Sequence, residues 1–194
     1  MFSFYALISR MKNISRWALM RNSYIENVQE HSHMVAVLAH ALAVIGRDIY
    51  GKSIDPDRCA TAALFHDASE ILTGDMPTPI KYHNKEIIRA YKELEHQASK
   101  KLLSTLPSQL HSSYKPLLCE VDDEVEKYIK AADKLSAYIK CLEELKTGNN
   151  EFLLAANQTK EKLISYKMQE VDYFMEHCIP AFELTLDELN FSVE

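Results

Sequence analysis

Glycine and proline are scarce in this chain, and alternating strand patterns are absent. Its 194 residues include four glycines and six prolines. Apolar residues recur instead at the 3.6-residue spacing of helices, so the sequence predicts an all-α fold. No internal repeat, low-complexity stretch or long linker divides the chain. We therefore expect one domain over residues 1–194, a length typical of a single domain.

The composition also excludes several partners and compartments. The formal net charge is −6, and no block of lysine and arginine stands out, which argues against a nucleic-acid polymer or an anionic membrane as partner. No apolar run approaches the ~18 residues of a membrane span, and the N-terminus lacks the compact apolar region of a signal peptide. The four cysteines lie among apolar neighbours without a C-x-x-C pair, which favours buried free thiols and a cytoplasmic location.

Capping residues and turn signals predict where the helices begin and end. Asn27 with Glu30 three residues later forms a capping-box variant, and Asp55 followed by Pro56 is a typical helix start. The predicted helices run from Phe4 to Lys12, from Asn27 to Tyr50, from Asp55 to Leu72, from Asn84 to Thr105, from Asp122 to Lys146 and from Asn150 to before Pro180, with a short piece between Pro107 and Pro116 and a last capping box at Thr185 to Glu188.

Histidines and acids lie on the apolar faces of three of these predicted helices. His31 falls on the apolar stripe of its helix, Asp67 follows His66 on the next, and Asp133 lies near the apolar face of a third. An unpaired carboxylate is very costly to bury, so such groups are paired or bind a metal. The pattern predicts one cation shared by the four residues. A structural protein with Asp67 and Asp133 in buried salt bridges is the alternative.

The donor types limit which metal the site could hold. Imidazole nitrogen with carboxylate oxygen suits zinc, manganese, cobalt or iron better than calcium. Four protein ligands leave an octahedral ion two positions for water and a substrate oxygen, and such an ion can polarise a phosphoryl oxygen. At 100° per residue, His33 and His40 point roughly opposite His31, so we expect them to face solvent or a partner.

The order H…HD…D formed by these residues resembles the HD-domain metal-dependent phosphohydrolases. The His-Asp dipeptide alone is a weak signal. The surrounding sequence is more specific and resembles the bacterial 5′-deoxynucleotidases of the YfbR type over nearly the whole chain. The matching stretches are Ser15-Arg16-Trp17, Glu30-His31-Ser32, Phe65-His66-Asp67-Ala68-Ser69-Glu70, Thr73-Gly74-Asp75-Met76-Pro77-Thr78-Pro79, Ala132-Asp133, the stretch from Cys141 to Phe152, and Asp172-Tyr173-Phe174-Met175.

The resemblance implies an HD-domain helical bundle with a central metal site. The implied reaction is hydrolysis of a deoxyribonucleoside 5′-monophosphate to the deoxyribonucleoside and phosphate. The implied cofactor is one divalent transition-metal ion, cobalt, manganese or copper, with zinc or iron also compatible. Its ligands would be His31, His66, Asp67 and Asp133, and the protein would be a homodimer.

The resemblance also assigns residues to the substrate. Arg16 would orient the phosphate, Trp17 would line the sugar and base, and the Asp75–Thr78 stretch would complete the pocket. The expected substrate-binding residues are Arg16, Trp17, His31, Asp67, Asp75, Met76, Pro77, Thr78 and Asp133. A guanidinium can hold two phosphate oxygens at once, which explains how an acidic protein could bind an anion. Without the resemblance, Arg16 would be read as a surface residue, Trp17 as a core residue and the loop as a rigid connection.

Glu70 joins Arg16 and Asp67 in the expected catalytic set. It follows His66 by four residues, on the same face of the predicted helix. It could carry a proton to or from the attacking water or the leaving 5′-oxygen, or it could orient His66. Both roles stay open at this point.

Other functions are compatible with the same residues. A related HD phosphohydrolase could act on a cyclic nucleotide, a nucleoside triphosphate or an alarmone. The short chain and the lack of an extra basic cluster favour a monophosphate. A non-catalytic helical module that binds a nucleotide is an alternative from a different class, and phosphate release from dAMP distinguishes it from an enzyme.

Overall fold

In the computed structural model, which describes residues 1–189, the regular elements are α-helices and short 3₁₀ segments. The helices are α1 (Phe4–Ile8), α2 (Val28–Asp48), α3 (Pro56–Ala63), α4 (Glu70–Thr73), α5 (Thr78–Lys81), α6 (Lys85–Leu103), α7 (His111–Leu118), α8 (Asp123–Lys146), α9 (Leu153–Ser165), α10 (Gln169–His177) and α11 (Leu186–Leu189). The 3₁₀ segments are Ser9–Asn13, Ser108–Leu110, Asn150–Phe152 and Ile179–Glu183. The described residues contain no strand, which confirms the all-α prediction.

Helices α2 and α8 form the centre of the main core. The predicted capping box starts α2: the Asn27 side chain accepts from the Glu30 amide at 3.0 Å, and Glu30 accepts from the Asn27 amide at 3.3 Å. Leu42 of α2 and Leu135 of α8 are fully buried in one cluster that also includes residues of α3, α9 and α10. The cap fixes where α2 begins, and so which of its side chains face the core.

The predicted helix from Asp55 to Leu72 is two helices joined by tight turns. Between α3 and α4, residues 64–69 are held mainly by bonds from an amide to the carbonyl three residues earlier. His66 and Asp67 therefore lie on turns and not on an α-helix, and Leu64 at the start of these turns is 44% exposed. We predicted a continuous helix because no glycine or proline interrupts the sequence there, and that prediction was wrong.

The prediction of one helix from Asn150 to Pro180 was also wrong. The chain forms α9 and α10, which are separated at Lys167, a non-glycine residue with φ of 53°. The side chain that caps the preceding 3₁₀ segment belongs to Asn149, which accepts from the Glu151 amide at 3.3 Å.

Two smaller expectations had different outcomes. Pro116 lies inside α7 rather than beyond its end, while Pro107 precedes the 3₁₀ segment before that helix. The last capping box is confirmed, since the Thr185 amide donates to Glu188 at 2.7 Å.

The four cysteines are free thiols. Cys59 and Cys141 are buried as predicted, whereas Cys119 and Cys178 are only partly buried. Burial raises the pKa of Cys59 to about 11 and that of Cys141 to about 12, so both thiols stay protonated at neutral pH. Within the described residues, none of the helices has the length and apolarity needed to cross a bilayer.

Gly46 allows α2 to approach α8 and α10 closely. Glu170 of α10 is fully buried, accepts from the Tyr128 hydroxyl at 2.5 Å, and lies 2.8 Å from the Lys52 ammonium. A Cβ placed on Gly46 would lie 2.8 Å from both Glu170 Oε1 and the Tyr128 hydroxyl. The buried polar group thus occupies the space that a side chain would need.

We expect Gly46→Ala to destabilise the protein by about 1–3 kcal/mol because overpacking outweighs the helix propensity that alanine gains. Urea unfolding of both proteins measures the difference. Arg47→Ala, at the exposed next position, is the control and should change stability by less than about 0.5 kcal/mol. A Gly46→Ala protein more stable than the parent would contradict the close approach.

Candidate metal centre

The four residues predicted as metal ligands converge from three parts of the fold. His31 comes from α2, Asp133 from α8, and His66 and Asp67 from the turns between α3 and α4. His31 Nε2 lies 3.2 Å from Asp133 Oδ1 and 3.6 Å from Asp67 Oδ2, and His66 Nε2 lies 3.1 Å from Asp67 Oδ2. One donor atom each from His31, His66 and Asp133 lies within 4.8 Å of the others.

The orientation of the two imidazole rings fits a metal ion. His66 Nδ1 is 2.7 Å from the Ala63 carbonyl, which can only accept, so Nδ1 carries the proton and Nε2 has a free lone pair. His31 Nδ1 is 3.2 Å from the Ser136 hydroxyl. Both Nε2 atoms are buried and have no hydrogen-bond partner among the described residues. A partner on one ring nitrogen and a free second nitrogen facing carboxylates is the usual arrangement of metal-binding histidines.

The electrostatics of the site also favour a cation. Burial alone would raise the pKa of Asp67, but His66, His31 and Arg16 lower it below its usual value. Burial lowers the pKa of His31, and Arg16 lowers it further. At His66, burial is outweighed by Asp67 and Asp133, which raise the pKa. The carboxylates are therefore ionised and attract positive charge to the space between the rings.

Salt bridges account for part of this arrangement but not for all of it. Arg16 Nη1 lies 3.4 Å from Asp67 Oδ2, and Lys134 Nζ lies 3.0 Å from Asp133 Oδ2. These pairs leave the buried imidazole nitrogens unexplained. A purely structural role for the aspartates thus fits the geometry less well than a metal site does.

The segment that carries Arg16 and Trp17 is tied together by Glu26. The Glu26 carboxylate accepts from Arg16 Nε at 3.1 Å and from Trp17 Nε1 at 3.0 Å. The Arg16 amide also donates to the Glu26 carbonyl at 2.9 Å. Glu26 was not predicted, because it lies in the irregular segment before the Asn27 cap.

Trp17 is held in an unusual backbone conformation. Its φ is 58°, in the left-handed region that non-glycine residues rarely adopt. The half-buried indole packs against Phe152, with ring centroids 5.3 Å apart. Core packing and substrate contact, the two readings of this residue, are therefore compatible with each other.

Glu70 is buried, and one of its carboxylate oxygens has no partner. Only 5% of the residue is exposed, and Oε2 makes no hydrogen bond. Burial raises the pKa of Glu70 to about 9, and the charges of Asp67 and Asp75 add to this effect. Because His66 Nδ1 bonds to Ala63, the suggestion that Glu70 orients His66 has no hydrogen bond to support it among the described residues.

The loop from Asp75 to Thr78 lies beside the same centre. Burial raises the pKa of Asp75, and the positive charge of Arg16 opposes this effect. Asp75, Met76 and Pro77 are partly buried, whereas Thr78 is exposed at the start of α5. The loop begins at Gly74, whose φ is 74° and whose carbonyl accepts from the Tyr91 hydroxyl at 3.2 Å.

The other histidines of α2 lie away from the centre. His33 and His40 are exposed, in agreement with the helical-face argument, and His40 lies 3.7 Å from Asp57. Sequence reasoning missed Ser136 and Lys134, the partners of His31 and Asp133. Ser136 follows Asp133 by three residues on a helix, and that spacing was the available signal.

Comparison with known proteins gives a consistent result. Residues 3–182 match the protein family described as 5′-deoxynucleotidase YfbR-like. The chain is 48% identical to the 5′-deoxynucleotidase plu3092 of Photorhabdus laumondii, over 98% of each chain. It is 51% identical to the 5′-deoxynucleotidase of Erwinia tasmaniensis, over 96% of each chain.

Solved structures share the fold. An HD-domain phosphohydrolase from Listeria innocua superimposes with a TM-score of 0.82 at 26% identity, covering 93% of this chain and 88% of that one. The HD phosphohydrolase DatZ of cyanophage S-2L, solved with dA and one catalytic Zn²⁺ ion, gives a TM-score of 0.61 at 21% identity, covering 90% and 95%. The second likeness concerns the fold alone.

Proposed function

The chain belongs to the YfbR-like 5′-deoxynucleotidase family, and on that premise we propose that it hydrolyses deoxyribonucleoside 5′-monophosphates to deoxyribonucleosides and phosphate. One observation carries the proposal. The two free imidazole nitrogens and the Arg16 guanidinium all face the Asp67 carboxylate, so a cation and a phosphate could be held side by side.

The residues proposed to hold the divalent ion are His31, His66, Asp67 and Asp133. An ion bound there supplies Lewis acidity to a phosphoryl oxygen and makes water a better nucleophile at neutral pH. Arg16 binds the phosphate, and Asp67 and Glu26 hold its guanidinium in place. A fixed guanidinium costs little reorganisation when the substrate binds.

Glu70 is proposed as the proton carrier. Its buried carboxyl with a raised pKa can hold a proton at neutral pH. The leaving 5′-oxygen of the nucleoside needs a proton, and a positioned carboxylic acid can donate it. This role uses the oxygen that has no hydrogen-bond partner among the described residues.

The sugar is proposed to lie between Trp17 and the loop that contains Asp75. A hydrophobic pocket rejects an added hydroxyl only weakly, by about a hundredfold. Stronger selectivity needs a wall or a badly paired polar group at the 2′ position. The Trp17 indole, fixed by Phe152 and Glu26, can be that wall, and Asp75 can accept from the 3′-hydroxyl. Met76, Pro77 and Thr78 are proposed to complete the pocket.

The metal, the assembly and the compartment are proposed from the family resemblance. Cobalt, manganese or copper fits the nitrogen and oxygen donors, and zinc or iron is also compatible. The protein is proposed to be a homodimer. A cytoplasmic location agrees with four cysteines that form no disulfide.

We expect the wild-type protein to hydrolyse dAMP far faster than AMP. Trp17→Ala should lower the dAMP-to-AMP ratio of kcat/KM because the indole that excludes a 2′-hydroxyl is lost. Asp75→Ala should lower kcat/KM for dAMP. We expect the wild-type kcat/KM for 3′-dAMP to be low and the variant to leave it unchanged. Steady-state kinetics with dAMP, AMP and 3′-dAMP, at saturating metal, measure all three effects.

Lys85→Ala serves as the control, since Lys85 is exposed at the start of α6 and has no proposed role in the pocket. Its loss should leave the dAMP-to-AMP ratio of kcat/KM unchanged. Equal wild-type rates for dAMP and AMP would show a general nucleotidase. Tight dAMP binding without phosphate release would show a nucleotide sensor instead of an enzyme.

A further inference from the structure

Helix α8 contains a lysine and a glutamate that are both buried. The side chains of Lys140 and Glu144 are 2% and 0% exposed and form an ion pair one helical turn apart. Lysine and glutamate are almost never fully buried unless they are paired. Apolar residues of similar size often stabilise a core equally well or better. Stability alone therefore does not explain why charged residues occupy these positions.

The hydrogen bonds of the pair lead to the segment that contains the proposed substrate residues. Lys140 Nζ donates to the Tyr24 carbonyl at 2.9 Å, and Glu144 Oε2 accepts from the Ser23 amide at 2.8 Å. Asn149 Nδ2 donates to Glu144 at 2.8 Å and to the Arg21 carbonyl at 2.7 Å. The pair thus bonds directly to the backbone at Ser23 and Tyr24, and Asn149 connects it to Arg21. Apolar side chains at positions 140 and 144 could not make these bonds.

The lysine also lies beside the aromatic rings next to Trp17. Its Nζ is 3.7 Å from the centroid of the Tyr24 ring and 5.8 Å from that of Phe152, on which Trp17 packs. Burial would raise the pKa of Glu144, but hydrogen bonds from Lys140, Asn149 and Ser23 lower it to about 2. The carboxylate is therefore charged throughout the neutral range and retains all of these bonds.

The 16–26 segment needs such support because of Trp17. A non-glycine residue in the left-handed region costs on the order of 1 kcal/mol and persists only where surrounding contacts hold it. Glu26 holds the segment at one end, through the side chains of Arg16 and Trp17. The Lys140–Glu144 pair holds its middle, at Ser23 and Tyr24.

We propose that the Lys140–Glu144 pair positions the 16–26 segment so that Arg16 and Trp17 meet the substrate. Among the described residues, the pair bonds to Ser23, Tyr24 and Asn149 and to none of the proposed metal or substrate residues. Both members are therefore proposed as positioning residues. The identity of the substrate rests on the proposed function, but the position of Trp17 does not.

The test compares two matched variants. Lys140→Met/Glu144→Met removes both charges together, so that no unpaired charge remains in the core. Lys52→Met/Glu170→Met does the same to the ion pair between Glu170 and Lys52, which makes no hydrogen bond to the 16–26 segment. Both variants lose a buried carboxylate and a lysine, and only the first loses the contacts with residues 23 and 24.

Trp17 is the only tryptophan of the chain, so its fluorescence reports the segment directly. In the Lys140→Met/Glu144→Met protein we expect a red-shifted emission and stronger acrylamide quenching than in the control. The KM for dAMP should rise about tenfold, since two side chains must then be ordered on binding. The dAMP-to-AMP ratio of kcat/KM should fall, while the metal content of the purified protein stays the same.

The proposal is overturned if both variants show the same emission, quenching and KM, because the pair would then only stabilise the fold. A wild-type protein without activity on dAMP would refute the proposed function, and the fluorescence comparison would still decide the positioning. Glu144→Gln against Glu170→Gln gives the same comparison, with smaller shifts, if a double variant does not fold.

Discussion

Asp67→Ala is expected to abolish metal-dependent hydrolysis of dAMP while the protein remains helical. Asp67 lies within 3.6 Å of a nitrogen of each of His31, His66 and Arg16, so its loss should affect the proposed metal and phosphate sites together. Mutations of residues that only support a metal ligand typically cost 10- to 100-fold, and loss of a ligand should exceed about a hundredfold. Phosphate release at saturating cobalt or manganese, circular dichroism and elemental analysis of the purified protein provide the measurements.

The control for this experiment lies on the opposite face of α2. His33→Ala and His40→Ala remove exposed imidazoles and should retain most of the activity, whereas His31→Ala should lose it. Full activity of Asp67→Ala at matched metal would refute the assignment of the site. An inactive His33→Ala protein together with an active His31→Ala protein would show that the metal site had been assigned to the wrong face of α2.

Arg16→Ala should reduce kcat/KM for dAMP by about thirtyfold or more, equivalent to about 2 kcal/mol of transition-state stabilisation. Its Nε and Nη1 atoms contact Glu26 and Asp67, which fixes the plane of the guanidinium for a phosphate. Arg16→Lys keeps the charge but cannot make both contacts and a bidentate bond, so it should also be strongly impaired.

Arg21→Ala is the matched control on the same segment. Its side chain is 95% exposed and pairs with Glu151, so kcat/KM should change by less than about threefold. Wild-type kinetics for Arg16→Ala, measured beside this control, would remove Arg16 from the phosphate site.

The sequence predicted the fold best where the signal lies within one helical turn. The Asn27–Glu30 capping box is such a signal, because both partners are neighbours in the chain. The break between α3 and α4 has no local signal. There the buried Ala68 packs in a cluster with Phe4 and Leu102, residues distant in sequence, and this tertiary contact is invisible to periodicity.

The same distinction applies to the candidate site. His31 and Asp133 could be placed on inward faces because a regular helix carries each of them. Glu26 could not, since it lies in an irregular segment where neither helical nor strand spacing applies. In the sequence, Lys140 and Glu144 look like an ordinary pair on a solvated helix face, and only the chain that covers them makes them buried.

Helix α8 links the metal centre and the 16–26 segment by a fixed length of chain. Asp133 and Lys140 are about two turns apart, so they lie on nearly the same side of the helix at a rise of roughly 10 Å. Insertion or deletion of one residue between them would rotate one relative to the other by about 100°. Side chains in this stretch can be exchanged, but a change in its length would separate the proposed metal site from the residues proposed to recognise the nucleotide. Natural length variation is therefore expected outside it, for instance in the connection between α6 and α8.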